Sequence, residues 1–235
     1  MSAQSHYPRV ETTNGEGLPD LRELAAVSKM LETRPATDAI AWAAERLGDG
    51  LVLASSFQDS VLIDLAVQVK PDIEVIFLDT QYHFDETLEY VETVRARYDL
   101  NLKVMTPSIE PDDRWMEDPD GCCGARKVVP MARALAGKRA WMTGLRRDEA
   151  STRANAAIVS WDVSRGLVKL NPIAPWSDQD VEQYARDRGL PEHPLRDQGF
   201  TSIGCWPCTR PVEEGEHSRS GRWAGRDKVE CGLHV

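Results

Sequence analysis

Five cysteines frame the chemistry open to this chain: Cys122 and Cys123 are adjacent, Cys205 and Cys208 are spaced Cys-X-X-Cys, and Cys231 stands apart near the C-terminus. Two close thiolate pairs make up the ligand set of a metal centre. A single buried cysteine more commonly packs as a small hydrophobe, but Gly121, Gly124, Gly204 and Pro207 flank these pairs, a backbone setting that suits ligation better than packing. A thioredoxin-like redox pair at Cys205-Trp206-Pro207-Cys208 should follow a first strand and open a helix near the front of a small domain, and this one lies late. Neighbouring cysteines converge poorly on one tetrahedral ion, whereas the irons of a [4Fe-4S] cube are separate corners that neighbours can each take. The expectation is a cluster on Cys122, Cys123, Cys205 and Cys208, with one zinc ion on the same thiolates as runner-up.

The fifth thiol lies in Glu230-Cys231-Gly232-Leu233-His234, downstream of Arg219, Arg222, Arg226 and Lys228. Nearby cations favour thiolate, the nucleophilic form; the alternative is a surface cysteine without a role, and spacing alone does not choose. Three stretches could meet an anion. Ser55-Ser56-Phe57-Gln58-Asp59-Ser60 joins an expected strand to a helix N-terminus, a phosphate-favouring place, although most Ser-rich turns merely cap the helix. Asp79-Thr80-Gln81 ends the next strand at the same edge. Gly144 to Arg153 sets Arg146, Arg147 and Arg153 among Asp148 and Glu149, a solvated loop unless its place after a strand turns it toward an anion. Lys127, four residues beyond Cys123, could face both thiols and substrate.

Positioning these residues takes a parallel sheet. Helical spacing over 21–31 and 37–47 precedes a βαβαβ rhythm: strands over 51–54, 73–78 and 102–105, helices over 60–69 and 84–98. A helix over 125–136, a strand over 140–143, a loop over 145–155 and a helix opened by Ser177 with Asp180 and closed by Gly189 follow. The fold class is therefore α/β, a single-domain doubly wound, mostly parallel sheet. Residues 1–18 read as a lead-in without fixed structure, 19–208 as a nucleotide-binding domain carrying both cysteine pairs, and 209–235 as an irregular, flexible tail carrying Cys231.

Composition narrows the partners. With 41% hydrophobic residues the 235-residue chain can build a core, and 28 Lys+Arg against 38 Asp+Glu, a net charge of -10, excludes a broad nucleic-acid surface. A bound anion must find a local cationic site. The first twenty residues lack a basic segment followed by an apolar one, and no eighteen-residue apolar run occurs, so a cytoplasmic protein without membrane or nucleic-acid partner is expected. In that reducing compartment the cysteines are ligands or reactive thiols before they are disulfides.

In their joint order, Cys122-Cys123-Gly124-Ala125-Arg126-Lys127, the 144–153 loop, Cys205-X-X-Cys208 and the terminal Glu-Cys-Gly-Leu-His resemble the iron-sulfur type of assimilatory adenylyl-sulfate (APS) reductase. These are relatives of the phosphoadenylyl-sulfate (PAPS) reductases in the adenine-nucleotide α-hydrolase-like, PP-loop group, and the similarity runs from about Leu51 to the C-terminus. The resemblance implies thioredoxin-dependent reduction of adenosine 5'-phosphosulfate to sulfite and AMP in sulfate assimilation and cysteine biosynthesis, with Cys231 carrying an S-sulfocysteine intermediate. It implies a [4Fe-4S] cluster on the four paired cysteines, Lys127, Arg219 and Arg222 around the phosphosulfate, and Arg153 and His234 at neighbouring positions. Ser55, Ser56 and Asp79 fall in the nucleotide turns, and a homo-oligomer is left open. Two departures stand out: Phe57-Gln58 where relatives often carry a small or glycine-containing pair, and Gln81 where glycine is usual, both of which restrict the backbone beside the nucleotide. The alternatives are a PAPS reductase, an ATP pyrophosphatase-type adenylyltransferase of the same fold that needs no terminal nucleophile, and a non-enzymatic zinc module that binds a protein.

Overall fold

The computed structural model describes residues 13–14 and 18–234. The rest of the expected lead-in lies outside the described residues. Strands β1 (Thr13–Asn14) and β2 (Leu18–Pro19) pair antiparallel. Helix α1 (Leu21–Leu31) starts where the Asp20 carboxylate accepts from the Arg22 and Glu23 N–H groups, both at 2.8 Å, and buries Leu24, Val27 and Leu31. Helix α2 (Ala36–Leu47) ends at Gly48, whose φ of 55° suits a residue without a Cβ.

The central sheet follows from apolar runs that helices cover on both faces. Its strands are β3 (Leu51–Ser55), β4 (Glu74–Leu78), β5 (Asn101–Met105), β6 (Ala140–Thr143), β7 (Val159–Asp162) and β8 (Leu167–Leu170), in the order β5-β4-β3-β6-β8-β7. All neighbours are parallel except β7, which runs antiparallel to β8 at the edge. Helices α3 (Val61–Val69) and α4 (Asp85–Tyr98) connect the first three strands, and α8 (Asp178–Asp187) opens on the Ser177–Asp180 capping box. The larger core joins α1, α2 and α3 to one sheet face. A smaller one gathers Val52, Ile76, Met131 and Trp141, with Leu233 of the tail packed against it. Chain order reverses between β3 and β6, so the carboxyl ends of these strands open a crevice at the topological switch point.

Two local features differ from the sequence reading. The β7–β8 hairpin is an addition: its strands are four residues each and carry Ser160, Asp162 and Lys169, too short and polar to register as apolar runs. The helix expected from 125 begins earlier, at α6 (Pro119–Cys123), with Asp118 accepting from the Gly121 N–H at 2.8 Å. A wide π-helical turn over Gly124–Val128 then leads into α7 (Val129–Leu135). Pro130 has no N–H for the carbonyl four residues back, which suits a widened turn just before it. Helix α5 (Arg114–Glu117) lies in the loop before α6.

Buried His193 ties α4 to the segment after α8. Its Nδ1 accepts from the Leu195 N–H at 3.2 Å, so Nε2 carries the proton toward Thr87 Oγ1 at 3.1 Å. Burial, helped by Arg196, lowers its pKa to about 4. The unfolded chain takes up this proton near pH 6.5 and the folded one only near 4, so stability is full above 6.5 and falls as pH drops through that window, by about 3 kcal/mol at its end. Urea unfolding at pH 7 and pH 4.5 should show this loss, and His193→Gln should remove the share that His193 contributes, buried His83 and His234 acting in the same direction.

Candidate active site

A cavity of about 190 Å3 lies at the switch point, far more than the roughly 10–15 Å3 that one water takes. The turn after β3 contributes Ser55, Ser56, Gln58 and Asp59, and the turn after β4 contributes Thr80 and His83. β6 contributes Thr143, and the loop after it Arg146, Glu149 and Arg153. Lys127 and the tail residues Arg219, Arg222, Cys231 and His234 close it. Of the expected site residues, Asp79 is not among those lining the cavity; its carboxylate accepts from the Gln81 N–H at 2.9 Å and closes the turn. Ser55 Oγ is likewise engaged locally, accepting from the Phe57 N–H at 3.0 Å.

The two departures fall where the backbone is left-handed, with φ of 55° at Phe57 and 67° at Gln81. Each costs on the order of 1 kcal/mol or more relative to glycine. The side chains make contacts glycine could not. Phe57 is fully buried edge-on against Phe77 at 5.3 Å, and Gln81 Oε1 accepts from Arg126 Nη1 at 2.5 Å.

Next to this cavity is a smaller one lined by all four paired cysteines, together with Thr80, Tyr82, Trp115, Arg126, Lys127 and Trp223. Cys122, Cys123 and Cys205 are buried and Cys208 is half-buried. α6 supplies the first pair. The second is shaped by a tight turn in which the Cys208 N–H donates to the Cys205 carbonyl at 3.0 Å. Burial pushes the Cys123 thiol up to about 11 and raises Cys122 and Cys208, each also opposed by the Cys205 sulfur. Burial raises Cys205 as well, but Lys127 and the Thr80 hydroxyl at 3.2 Å outweigh it and lower the thiol. Among the described residues no three His, Cys, Asp or Glu side chains form a group that could hold a metal ion.

Lys127 lines both cavities. Burial opposes its charge, but Cys205 and Cys123 on the thiol side and Cys231 on the other raise its pKa above the lysine range. Arg219 is pulled down to about 10 by burial and by the neighbouring Arg153 and Arg222.

The tail is seated over both cavities. Trp223 is buried, Arg226 donates to the Trp115 carbonyl at 2.6 Å, and Lys228 pairs with Asp120 of α6. The His234 ring stacks on Trp141 at 5.7 Å with an interplanar angle of 1°. Burial first, then Lys169 and Arg153, holds His234 well below the usual histidine range, so it is neutral here.

Three residues that the sequence reading named only as parts of motifs have structural work at this site that it did not assign. Arg126 is buried over the Tyr82 ring at 4.5 Å. Glu230 pairs with Arg153 at 2.6 Å. At Gly204 an added Cβ would sit 2.3 Å from Arg222 Nη2 and 2.4 Å from its Cζ. Gly204→Ala should therefore displace the Arg222 guanidinium and weaken binding of inorganic sulfate about tenfold in calorimetric titration, with the melting temperature shifted by only a few degrees.

Residues 50–211 match the phosphoadenosine phosphosulfate reductase domain. The chain is 47% identical over 232 residues to an adenosine 5'-phosphosulfate reductase of Streptomyces coelicolor, covering 95% of this chain and 98% of that one. It is 46% identical over 233 residues to a protein of the same description from Mycolicibacterium smegmatis, again 95% and 98%. A crystal structure of phosphoadenylyl-sulfate (PAPS) reductase from Candida auris superposes with a TM-score of 0.74 at 26% identity, over 82% of this chain and 98% of that one. FMN adenylyltransferase from Candida glabrata shares the fold, with a TM-score of 0.58 at 13% identity over 90% of this chain and 69% of that one. The domain match spans the sheet, the loop after β6 and both cysteine pairs, and with near-full-length relatives above 40% identity it makes this chain a member of the phosphoadenosine phosphosulfate reductase family.

Proposed function

We propose that the protein reduces adenosine 5'-phosphosulfate to sulfite and AMP, with Cys231 as nucleophile and thioredoxin as the dithiol reductant. The observation that carries this reading is the presence of the Cys231 thiol on the wall of a cavity that Lys127, Arg219 and Arg222 also line. The names borne by the Streptomyces and Mycolicibacterium relatives support APS over PAPS as substrate.

The substrate is a mixed phosphate-sulfate anhydride. Cys231 Sγ attacks its sulfur, the S–O bond to the phosphate breaks, and the electron pair leaves on the AMP oxygen, giving S-sulfocysteine. Lys127, Arg219 and Arg222 hold the phosphosulfate and stabilise the charge that grows on departing AMP. His234, neutral and stacked on Trp141, and Ser55 and Ser56, after β3, help shape the nucleotide pocket. A thioredoxin thiolate then attacks Cys231 Sγ and sulfite leaves with the bonding pair. The second thioredoxin thiol resolves the mixed disulfide, so the dithiol supplies both electrons.

The four paired cysteines suit a [4Fe-4S] cluster. They are soft donors that line one small cavity, and they come as two close pairs from a helix and a turn. Cys122, Cys123, Cys205 and Cys208 would hold it. When bound, the cluster supplies a fixed charge beside Lys127 and a tie between α6 and the 205–208 turn. Among the described residues no helix is long and apolar enough to cross a membrane, and a cytoplasmic site of action accords with the need for a reducing dithiol.

Incubation with APS without reductant tests the reaction. Intact mass should rise by about 80 Da, the mass of SO3, on Cys231 alone, and sulfite should appear only when thioredoxin is added. An unmodified Cys231 would overturn the covalent route.

A further inference from the structure

We propose that Glu230 is the positioning residue that seats Cys231, and that Arg153 serves the reaction by gripping this carboxylate instead of the substrate. The inference rests on the reading of Cys231 as nucleophile.

The geometry is that of a clamp. Glu230 immediately precedes Cys231, and its two oxygens take the Arg153 guanidinium in two-pronged fashion, Nε to Oε1 at 2.6 Å and Nη2 to Oε2 at 2.7 Å. Thr152 Oγ1 donates to Glu230 Oε1 at 3.1 Å, and Arg219 lies 3.8 Å from Oε2. Both side chains of the Arg153–Glu230 pair are only 9% exposed, so the pair is shielded from solvent and salt. A paired fork of this kind fixes direction as well as distance.

Arg153 is itself held from behind. Its Nη1 donates to Glu149 Oε2 at 2.5 Å, and that same oxygen accepts the Arg146 N–H at 3.1 Å, which fixes the loop after β6. Three of its five N–H donors, the Nε–Nη2 fork among them, are spent on Glu230 and Glu149, so Arg153 is committed first to carboxylates while the tail is closed. Lys127 and Arg222 are differently placed. Among the described residues Lys127 has no carboxylate partner, and Arg222 keeps a buried Nε without a hydrogen-bond partner. The cations therefore divide in two: Lys127 and Arg222 for the anion, Arg153 for the arm that carries the thiol. Arg219 touches both.

The division matters for rate because displacement of a nucleophile by about 1 Å can cost on the order of 100-fold. Glu230 is one peptide unit from the reacting sulfur.

The experiment compares wild type, Glu230→Gln and Glu230→Asp in the cluster-loaded full chain. Iodoacetamide alkylation of Cys231, read on the tryptic peptide 229–235, reports tail seating without substrate. Single-turnover adduct formation with APS and AMP affinity are measured in parallel. Glu230→Gln should alkylate about tenfold faster and form adduct about 100-fold more slowly, with AMP affinity within twofold, and Glu230→Asp should recover part of both rates. Equal alkylation rates in all three proteins would overturn the proposal. So would AMP affinity falling in step with adduct rate, which would return Arg153 and Glu230 to the substrate site, or faster wild-type alkylation with saturating AMP, which would make Glu230 a stand-in that substrate displaces. Failure of wild type to form any adduct would instead count against the reaction proposed above, while the alkylation contrast would still decide the clamp.

Discussion

Cys231→Ser should lower sulfite production by at least about 10^4-fold while leaving AMP affinity within a factor of two. Serine keeps the size of the side chain and loses its chemistry, because a hydroxyl is far less ionised at neutral pH than a thiol and is a weaker nucleophile toward sulfur. The residue is only half-buried, so little packing is lost and the melting temperature should stay within a few degrees. Steady-state sulfite release with thioredoxin, intact mass after APS and calorimetric AMP binding together give the answer. An adenylyltransferase on this fold would need no terminal thiol and would keep its activity in the variant.

Lys127→Met should lower kcat/KM for APS by about 100- to 1,000-fold, the range found when one preorganised charge donor is removed from a site of developing negative charge. Methionine keeps the apolar stem of the side chain, so the loss reports the ammonium. That ammonium lies where both cavities meet, with Cys205 and Cys123 to one side and Cys231 to the other. It is therefore placed to meet the phosphosulfate and to stabilise the charge on departing AMP. The visible absorbance that the proposed [4Fe-4S] cluster would give should persist in the variant. A kcat/KM within threefold of wild type, with that absorbance intact, would show that Lys127 serves neither role.

The parallel strands and long helices were legible because burial on both faces writes continuous apolar runs, and helix boundaries write Ser177 and Gly48. The hairpin at 159–170 was not, since short edge strands mix apolar and polar residues. Pro119-Asp120-Gly121 resembles a loop by composition and is a helix start by position, with Asp118 as its cap. At the site, residue type alone announced the cysteines and the cationic tail. Glu230 and Arg126 stayed hidden because their work is defined by partners distant in sequence: Arg153 lies 77 residues from Glu230, and Gln81 lies 45 from Arg126. The serine and aspartate turns were placed correctly at the sheet edge, but Ser55 and Asp79 spend their oxygens on their own backbone.

Gln81 stands in left-handed backbone and hands its amide oxygen to an arginine that is 1% exposed. Glycine there would relax the turn and leave Arg126 Nη1 without that acceptor; a buried cation short of an acceptor costs more than the strain it replaces. Positions 81 and 126 are thus coupled in this chain: Gln81→Gly alone should lower the melting temperature, and an apolar side chain at 126 in the same protein should restore part of the loss.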